Sequence, residues 1–209
     1  MSDEARDRWN ERYLARPRVW SSSPNPVLVD EVSSLATGRA LDIGCGEGAD
    51  ALWLAERGWQ VLGIDVSDVA IDRARDEAHS RMVSGGLGLA GSAEFRRADL
   101  REWVPERRAF DLVIAFFVHL PVDERDLVFA RLADAVAPGG TLLLVGHAVS
   151  DATSGVGRPA AHLLVDESDL LPYAAGFTTA EASTRAREVD GPSETAPITV
   201  HDIALVARR

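Results

Sequence analysis

The sequence contains no lysine: all 22 of its basic residues are arginine. That absence removes Schiff-base chemistry, phosphate loops of the Walker type and the Tyr-Lys pair of short-chain dehydrogenases. Cysteine is almost as scarce. With Cys45 alone, no intrachain disulfide or thiolate metal cluster can form, and a reducing cytoplasm is the expected setting. No run of ~18 apolar residues occurs, and the start, MSDEARDRWNERY, is charged from its third residue, so neither a membrane span nor a signal peptide is expected. Positive charge is also short: 22 basic against 33 acidic residues give a net charge of -11. Such a chain repels a phosphate backbone and gains nothing from counterion release, which argues against nucleic acid as a partner.

What is present is apolar residue in quantity, 46% of 209 residues, enough for one α/β domain over 1–209. From Arg39 onward short apolar runs alternate with amphipathic segments, the pattern of βα units around a mostly parallel sheet. Strands are expected at 40–44, 59–65, 94–99, 110–118, 141–147, 177–187 and 198–208, the last two as a hairpin. Helices are expected at 49–58, 68–82 with Ser67 as cap, 122–140 ended by Pro138 and Gly139, and briefly near 167–175. Residues 83–93 and 148–160 read as surface loops. Residues 1–38 form a helical lead-in, 39–147 the binding core, and 148–209 the opposite side of the site.

The core opens with LDIGCGEGADA. Gly44, Gly46 and Ala49 satisfy G-x-G-x-x-G/A, and Asp65 lies 21 residues beyond Gly44, where a ribose-binding acid belongs in a dinucleotide fold. A nicotinamide-dependent oxidoreductase is therefore one reading. Against it stand Asp42 before the turn, Glu47 inside it and Asp50 after it. Carboxylates there oppose a pyrophosphate and suit a ligand with an ammonium and a sulfonium. Asp99, expected to end the third strand, places a third acid with Asp42 and Asp65 at the carboxyl ends of successive strands, which line the crevice of an open α/β sheet.

At these motifs the chain resembles the class I S-adenosylmethionine-dependent methyltransferases. LDIGCGEGAD is similar to their glycine loop, VLGIDVS to their second-strand acid, RRADL to their adenine-contacting segment, FDLVIAFFVHLP to their fourth motif and APGGTLLLV to their turn into the fifth strand. The subgroup it resembles is that of the small tellurite-resistance and thiopurine methyltransferases, through Trp9, Arg12 and Tyr13 in WNERY and Trp20 beyond. The resemblance implies that Gly44, Gly46 and Gly48 approach the methionyl part of S-adenosylmethionine, with Asp42 near its amino group. It also implies that Asp65 takes both ribose hydroxyls, that Asp99 and the Leu100 amide read the adenine edge, and that Val66, Phe116, Trp9, Tyr13 and Trp20 complete the cofactor site. Elementary chemistry agrees: a carboxylate accepts two hydroxyls side by side, and glycine allows an approach that a Cβ blocks.

A sulfonium already carries an activated methyl group, so the protein must chiefly align a nucleophile at ~3 to 3.5 Å and exclude water. His119 after the fourth strand and His147 ending the fifth are the candidate catalytic residues, on strands ~4.8 Å apart. Trp9 and Tyr13, at i and i+4, can form one face of a lid. Cys45 reads as packing. No Asn/Asp-Pro-Pro-Tyr/Phe or Pro-Cys motif suits a flipped base, so a small-molecule acceptor is expected, with no metal site. The expectation is a doubly wound, seven-stranded Rossmann-like sheet of order 3-2-1-4-5-7-6, the last strand antiparallel with helices on both faces. It binds S-adenosylmethionine, yields S-adenosylhomocysteine, and works as a monomer or homodimer. The rivals are the oxidoreductase and a non-catalytic S-adenosylmethionine-binding regulator.

Overall fold

A computed structural model describes residues 2–84, 91–153, 159–189 and 197–209. Its elements run α1 (Ser2–Leu14), α2 (Pro26–Val32), β1 (Arg39–Ile43), α3 (Ala49–Glu56), β2 (Gln60–Asp65), α4 (Asp68–Val83), β3 (Ser92–Arg97), β4 (Phe110–Phe116), α5 (Val122–Ala135), β5 (Val136–His147), α6 (Glu167–Leu170), β6 (Thr179–Val189) and β7 (Ile198–Arg208). The seven strands form one sheet in the order β3-β2-β1-β4-β5-β7-β6. The first five are parallel neighbours, and β7 enters antiparallel between β5 and β6.

Alternation along the central strands builds a core on each face of the sheet. Leu41 and Ile43 of β1 pack with Val113 and Ala115 of β4 and with Val128, Phe129 and Leu132 of α5. Ala40, Leu112 and Ile114 point the other way, onto Leu52 and Leu54 of α3 and Leu28 of α2. Asp42, two residues from Ala40, therefore emerges on the α3 side. Ser67 caps α4 by accepting from the Ala70 amide at 3.1 Å.

Four expectations are corrected. The lead-in holds a second helix, α2, capped by Asn25 with Pro26 in its first turn; the Asn-Pro pair was a legible start signal. Helix α5 ends at Ala135 rather than at Pro138 and Gly139, because Ala137 precedes a proline, which disfavours α geometry, and Val136 is fully buried beside Phe110 at the foot of β4. Pro138 and Gly139 then sit within a bulge of β5, where the register jumps between Phe110 and Leu112. Third, β3 ends at Arg97, so Asp99 lies beyond the strand and not at its end. Last, β6 begins at Thr179 and runs to Val189. The central parts of the two expected loops, residues 85–90 and 154–158, lie outside the described residues. No described helix is long and apolar enough to cross a membrane.

Candidate functional site

The loop from β1 to α3 is hooked onto the end of β2. The amides of Gly44 and Cys45 both donate to the Ile64 carbonyl, at 2.8 and 3.1 Å. Gly46 donates to Asp65 Oδ2 at 2.9 Å, while Ser67 donates to Asp65 Oδ1 at 2.9 Å. One carboxylate thus ties the glycine loop to the start of α4. Since a carboxylate has about four acceptor positions, Asp65 keeps capacity for further donors. Gly44 and Gly46 sit at φ of +68° and +52°, where a side chain is strained, and a Cβ on Gly46 would meet the Tyr13 hydroxyl at 3.0 Å.

That last contact shows where the lead-in goes. Tyr13 is 2% exposed and accepts from Trp20 Nε1 at 2.9 Å. Trp9 lies 6.2 Å from Tyr13 and 6.5 Å from Trp20, with Arg12 4.9 Å over the Trp20 ring. Trp9 and Tyr13, expected on one face of α1, lie side by side with Trp20 against them, and Tyr13 and Trp20 rest on the glycine loop. What fastens them was not foreseen. Glu47 Oε2 accepts the amides of Val19 and Trp20 at 3.0 and 3.1 Å, and Glu47 Oε1 pairs with Arg73 Nη1 at 2.9 Å. Arg73 Nη2 reaches back to the carbonyls of Tyr13 and Arg16, both at 2.9 Å. Asp50 accepts the Asn25 amide at 2.6 Å. Glu47 and Asp50, counted as charge for a cationic ligand, are therefore largely engaged with the lead-in. The cationic partner of Glu47, 26 residues further along the chain, lies on α4, beyond any local sequence signal.

The acids brought together are Asp42, Asp50 and Asp65. Burial, then Asp50 and Asp65, push Asp42 well up, against a hydrogen bond from the Ala51 amide. Burial raises Asp65 against the amides of Ser67, Gly46 and Val66, and raises Asp50 to about 6. Asp99 behaves otherwise. Its Oδ1 accepts Arg101 N and Nε at 3.0 and 2.9 Å and its Oδ2 accepts Arg101 Nη2 at 2.6 Å, and that pairing outweighs burial to hold its carboxyl below the usual range. Leu100 packs, half-buried, at the edge of the core, Val66 is half-buried, and Phe116 is buried at the end of β4. Burial raises the Cys45 thiol, so the thiolate is disfavoured and the residue packs against the α3 side.

A raised carboxyl favours the folded state in its protonated form. Stability is then fully present below the unfolded value of about 4 and is lost as pH rises through the folded value. For Asp50 that window closes at about 6, so thermal melting of the ligand-free chain is expected to fall between pH 4 and pH 6. A midpoint that climbs across this interval overturns the buried-acid account. Asp99 and Asp202, held low, lose their contribution only below the window.

On the other side of β1, His119 and His147 stack with ring centroids 5.2 Å apart, and Phe117 stacks on His147 at 4.4 Å. Phe117 takes a φ of 56°, a left-handed conformation rare for a bulky residue. A small cleft beside them is walled by Val118, His119, Arg125, Phe129, Leu163 and Leu170. Arg125 is 5% exposed there, pairing with Asp169 at 3.1 Å and with Tyr173 through Nε at 3.3 Å. In sequence it stands in DERD and reads as a solvated charge; only depth distinguishes it. His147 also meets Asp202 of β7, an acid interrupting an apolar strand and thus a signal the sequence did carry.

A sheet of this order closed by an antiparallel strand, with a glycine loop after β1 and an acid ending β2, defines the Rossmann-like methyltransferase fold. Residues 40–140 match the family model described as "Methyltransferase domain". It is 28% identical over 182 residues to "Probable thiol methyltransferase 2" of Arabidopsis thaliana, covering 85% of this chain and 76% of that one. A structure from work on conversion of a disulfide bond into a thioacetal group during echinomycin biosynthesis superposes with a TM-score of 0.74 at 26% identity, over 98% of this chain and 91% of that one. TehB of Haemophilus influenzae shares the fold, with a TM-score of 0.69 at 16% identity, over 98% of this chain and 66% of its own. The chain spans 58% and 40% of the length of two further curated methyltransferases, a quinolone and a glycine enzyme.

Proposed function

We infer that the chain is an S-adenosylmethionine-dependent methyltransferase acting on a small molecule. The observation that carries this reading is the buried acid cluster beside the glycine loop. Two carboxylates raised by burial, Asp42 and Asp65, flank a loop whose backbone is open to close approach, which favours a ligand bearing positive charge over one bearing a pyrophosphate. Asp65, already ordered by two amides, would hold the ribose hydroxyls, and Gly44, Gly46, Gly48 and Asp42 would hold the methionyl end. Asp99 would read the adenine with Leu100, its carboxylate kept ionised by Arg101. Val66 and Phe116 would line this seat, and Trp9, Tyr13 and Trp20 would cover it. When bound, the cofactor supplies an activated methyl group; the chain orients the acceptor, excludes water and manages any proton.

His119 and His147 would stand on the acceptor side, next to the cleft that holds Arg125. The reading takes residues 1–209 as one unit, a monomer or homodimer in a reducing cytoplasm, where Cys45 stays a buried thiol. With a net charge of -11, nucleic acid is not its partner. Relatives that act on thiols and quinolones fit a small acceptor.

Calorimetry tests the reading directly. S-adenosylmethionine and S-adenosylhomocysteine are expected to bind with micromolar affinity, and NADH not to bind. Because a bound cation relieves the repulsion among Asp42, Asp50 and Asp65, the thermal shift given by S-adenosylmethionine is expected to be larger at pH 7 than at pH 5. Preferential binding of NADH would return the loop to the dinucleotide class.

A further inference from the structure

Strands β5, β6 and β7 carry a relay of polar side chains that cofactor binding does not use. In the β5–β7 register His147 lies directly opposite Asp202, and His147 Nδ1 meets Asp202 Oδ1 at 2.9 Å. The other oxygen of Asp202 accepts from Arg187 Nε at 2.5 Å. Asp202 is 4% exposed. Burial opposes its ionisation, yet the bonds to His147 and Arg187 prevail and keep its carboxyl below the usual range. A buried carboxylate on one imidazole nitrogen fixes the tautomer, orients the ring and stabilises the imidazolium that forms on proton uptake.

The ring lies where β4 and β5 end, beside a cleft walled in part by its neighbours Gly146 and His119. It stacks on Phe117 and His119, and Phe117 holds a left-handed φ of 56°. Such a conformation is rare for a bulky residue and clusters at functional sites. Among the described residues, the charged and titratable groups around His147 include Asp202 on β7, Arg187 on β6 beyond that acid, and His119 after β4. The separate pair of His201 Nδ1 and Asp151 Oδ1, at 3.0 Å, sits one residue along β7. The neighbouring cleft is walled mostly by apolar residues, among them Val118, Phe129, Leu163 and Leu170.

We propose that His147 is the general base for an acceptor that arrives as a neutral, weakly acidic thiol or hydroxyl on an apolar small molecule, and that Asp202, braced by Arg187, is its positioning residue. This rests on the methyltransferase reading. With Nδ1 committed to Asp202, the proton-accepting atom is Nε2. As the acceptor's S–H or O–H bond breaks, its proton passes to Nε2 and its electron pair forms the new bond to the methyl carbon. The methyl–sulfonium bond breaks with its pair left on sulfur, so the charge lost by the cofactor appears as imidazolium and leaves as a proton to water. An acceptor already ionised, or a neutral amine, has no need of this base before transfer.

The test uses the full chain, S-adenosylmethionine and three probes: benzyl mercaptan and 2-naphthol, neutral at pH 7, and 4-nitrothiophenol, already ionised. His147→Ala is expected to lower kcat on one or both neutral probes by about 10² to 10⁴-fold, the usual contribution of a positioned base, and on the ionised thiol by less than about tenfold. Asp202→Asn is expected to lower kcat on the neutral probes with little change in KM for the cofactor. Independently of turnover, nitrogen NMR of the His147 ring in the cofactor-free chain is expected to show the Nδ1–H tautomer in the parent and a loss of that preference in Asp202→Asn, since the carboxylate acceptor is gone. Equal losses on ionised and neutral probes overturn the base role, and an unchanged ring tautomer in Asp202→Asn overturns the positioning role. No turnover of any probe by a chain that binds S-adenosylmethionine overturns the acceptor class. Failure to bind S-adenosylmethionine strikes the underlying reading instead.

Discussion

Asp65→Ala is expected to weaken S-adenosylmethionine binding by about 100-fold or more, because the ribose that Asp65 would hold loses two hydrogen bonds to a charged group, at about 1.5 to 3 kcal/mol each. Its effect on stability is smaller, for two opposed reasons. The amides of Gly46 and Ser67 lose their acceptor, and each buried donor left unpaired costs about 1 to 3 kcal/mol. Removing a carboxylate whose burial already disfavours its charge gives part of this back. The orphaned amides win, and a net loss of about 1 to 3 kcal/mol is expected in urea denaturation. Asp65→Asn keeps the volume but offers one oxygen where two amides need acceptors, so it is expected to fall between. An alanine variant with unchanged affinity would remove Asp65 from the cofactor site.

Removing the lead-in is the second large change. Deleting residues 1–20 takes Tyr13, Trp20 and the Val19 and Trp20 amides from the glycine loop, and is expected to weaken S-adenosylmethionine binding at least about tenfold, or 1.4 kcal/mol, while the sheet stays folded. Arg73→Ala attacks the same fastening from the other side. The Glu47 side chain is 4% exposed and the Arg73 side chain 26%. Breaking a fully buried pair costs about 3 to 5 kcal/mol, and the partial exposure of Arg73 reduces this to about 2 to 3 kcal/mol. Chemical denaturation measures the second effect and calorimetry the first. Undiminished affinity in the truncated chain would leave α1 as packing alone. An Arg73→Ala variant as stable as the parent would mean that Glu47 finds water instead.

Legibility of the fold in the chain follows the range of each signal. Strands β1, β2, β4 and β7 were legible because an apolar run of fixed length, bounded by Gly, Ser or Pro, states its own limits. Errors came where two local signals competed. At Val136 the helix pattern continued toward Pro138, but the restraint before a proline and burial against Phe110 drew the residue into β5. The segment EFRRAD predicts a strand ending at Asp99, whereas the strand closes at Arg97 and the acid is claimed by Arg101.

The sequence by itself determined the element order, the glycine loop and the acid ending β2, since each depends on neighbours a few residues away: apolar periodicity, positive φ and a polar residue at a strand's end. Only the tertiary structure decided which charges remain for a ligand. Glu47 meets Arg73 and the lead-in, Asp202 meets His147 and Arg187, and Arg125 is buried in the wall of the small cleft next to His119, because antiparallel register and helix packing join residues far apart in the chain. A carboxylate's role depends on its partner and its depth, and neither is written in the chain around it.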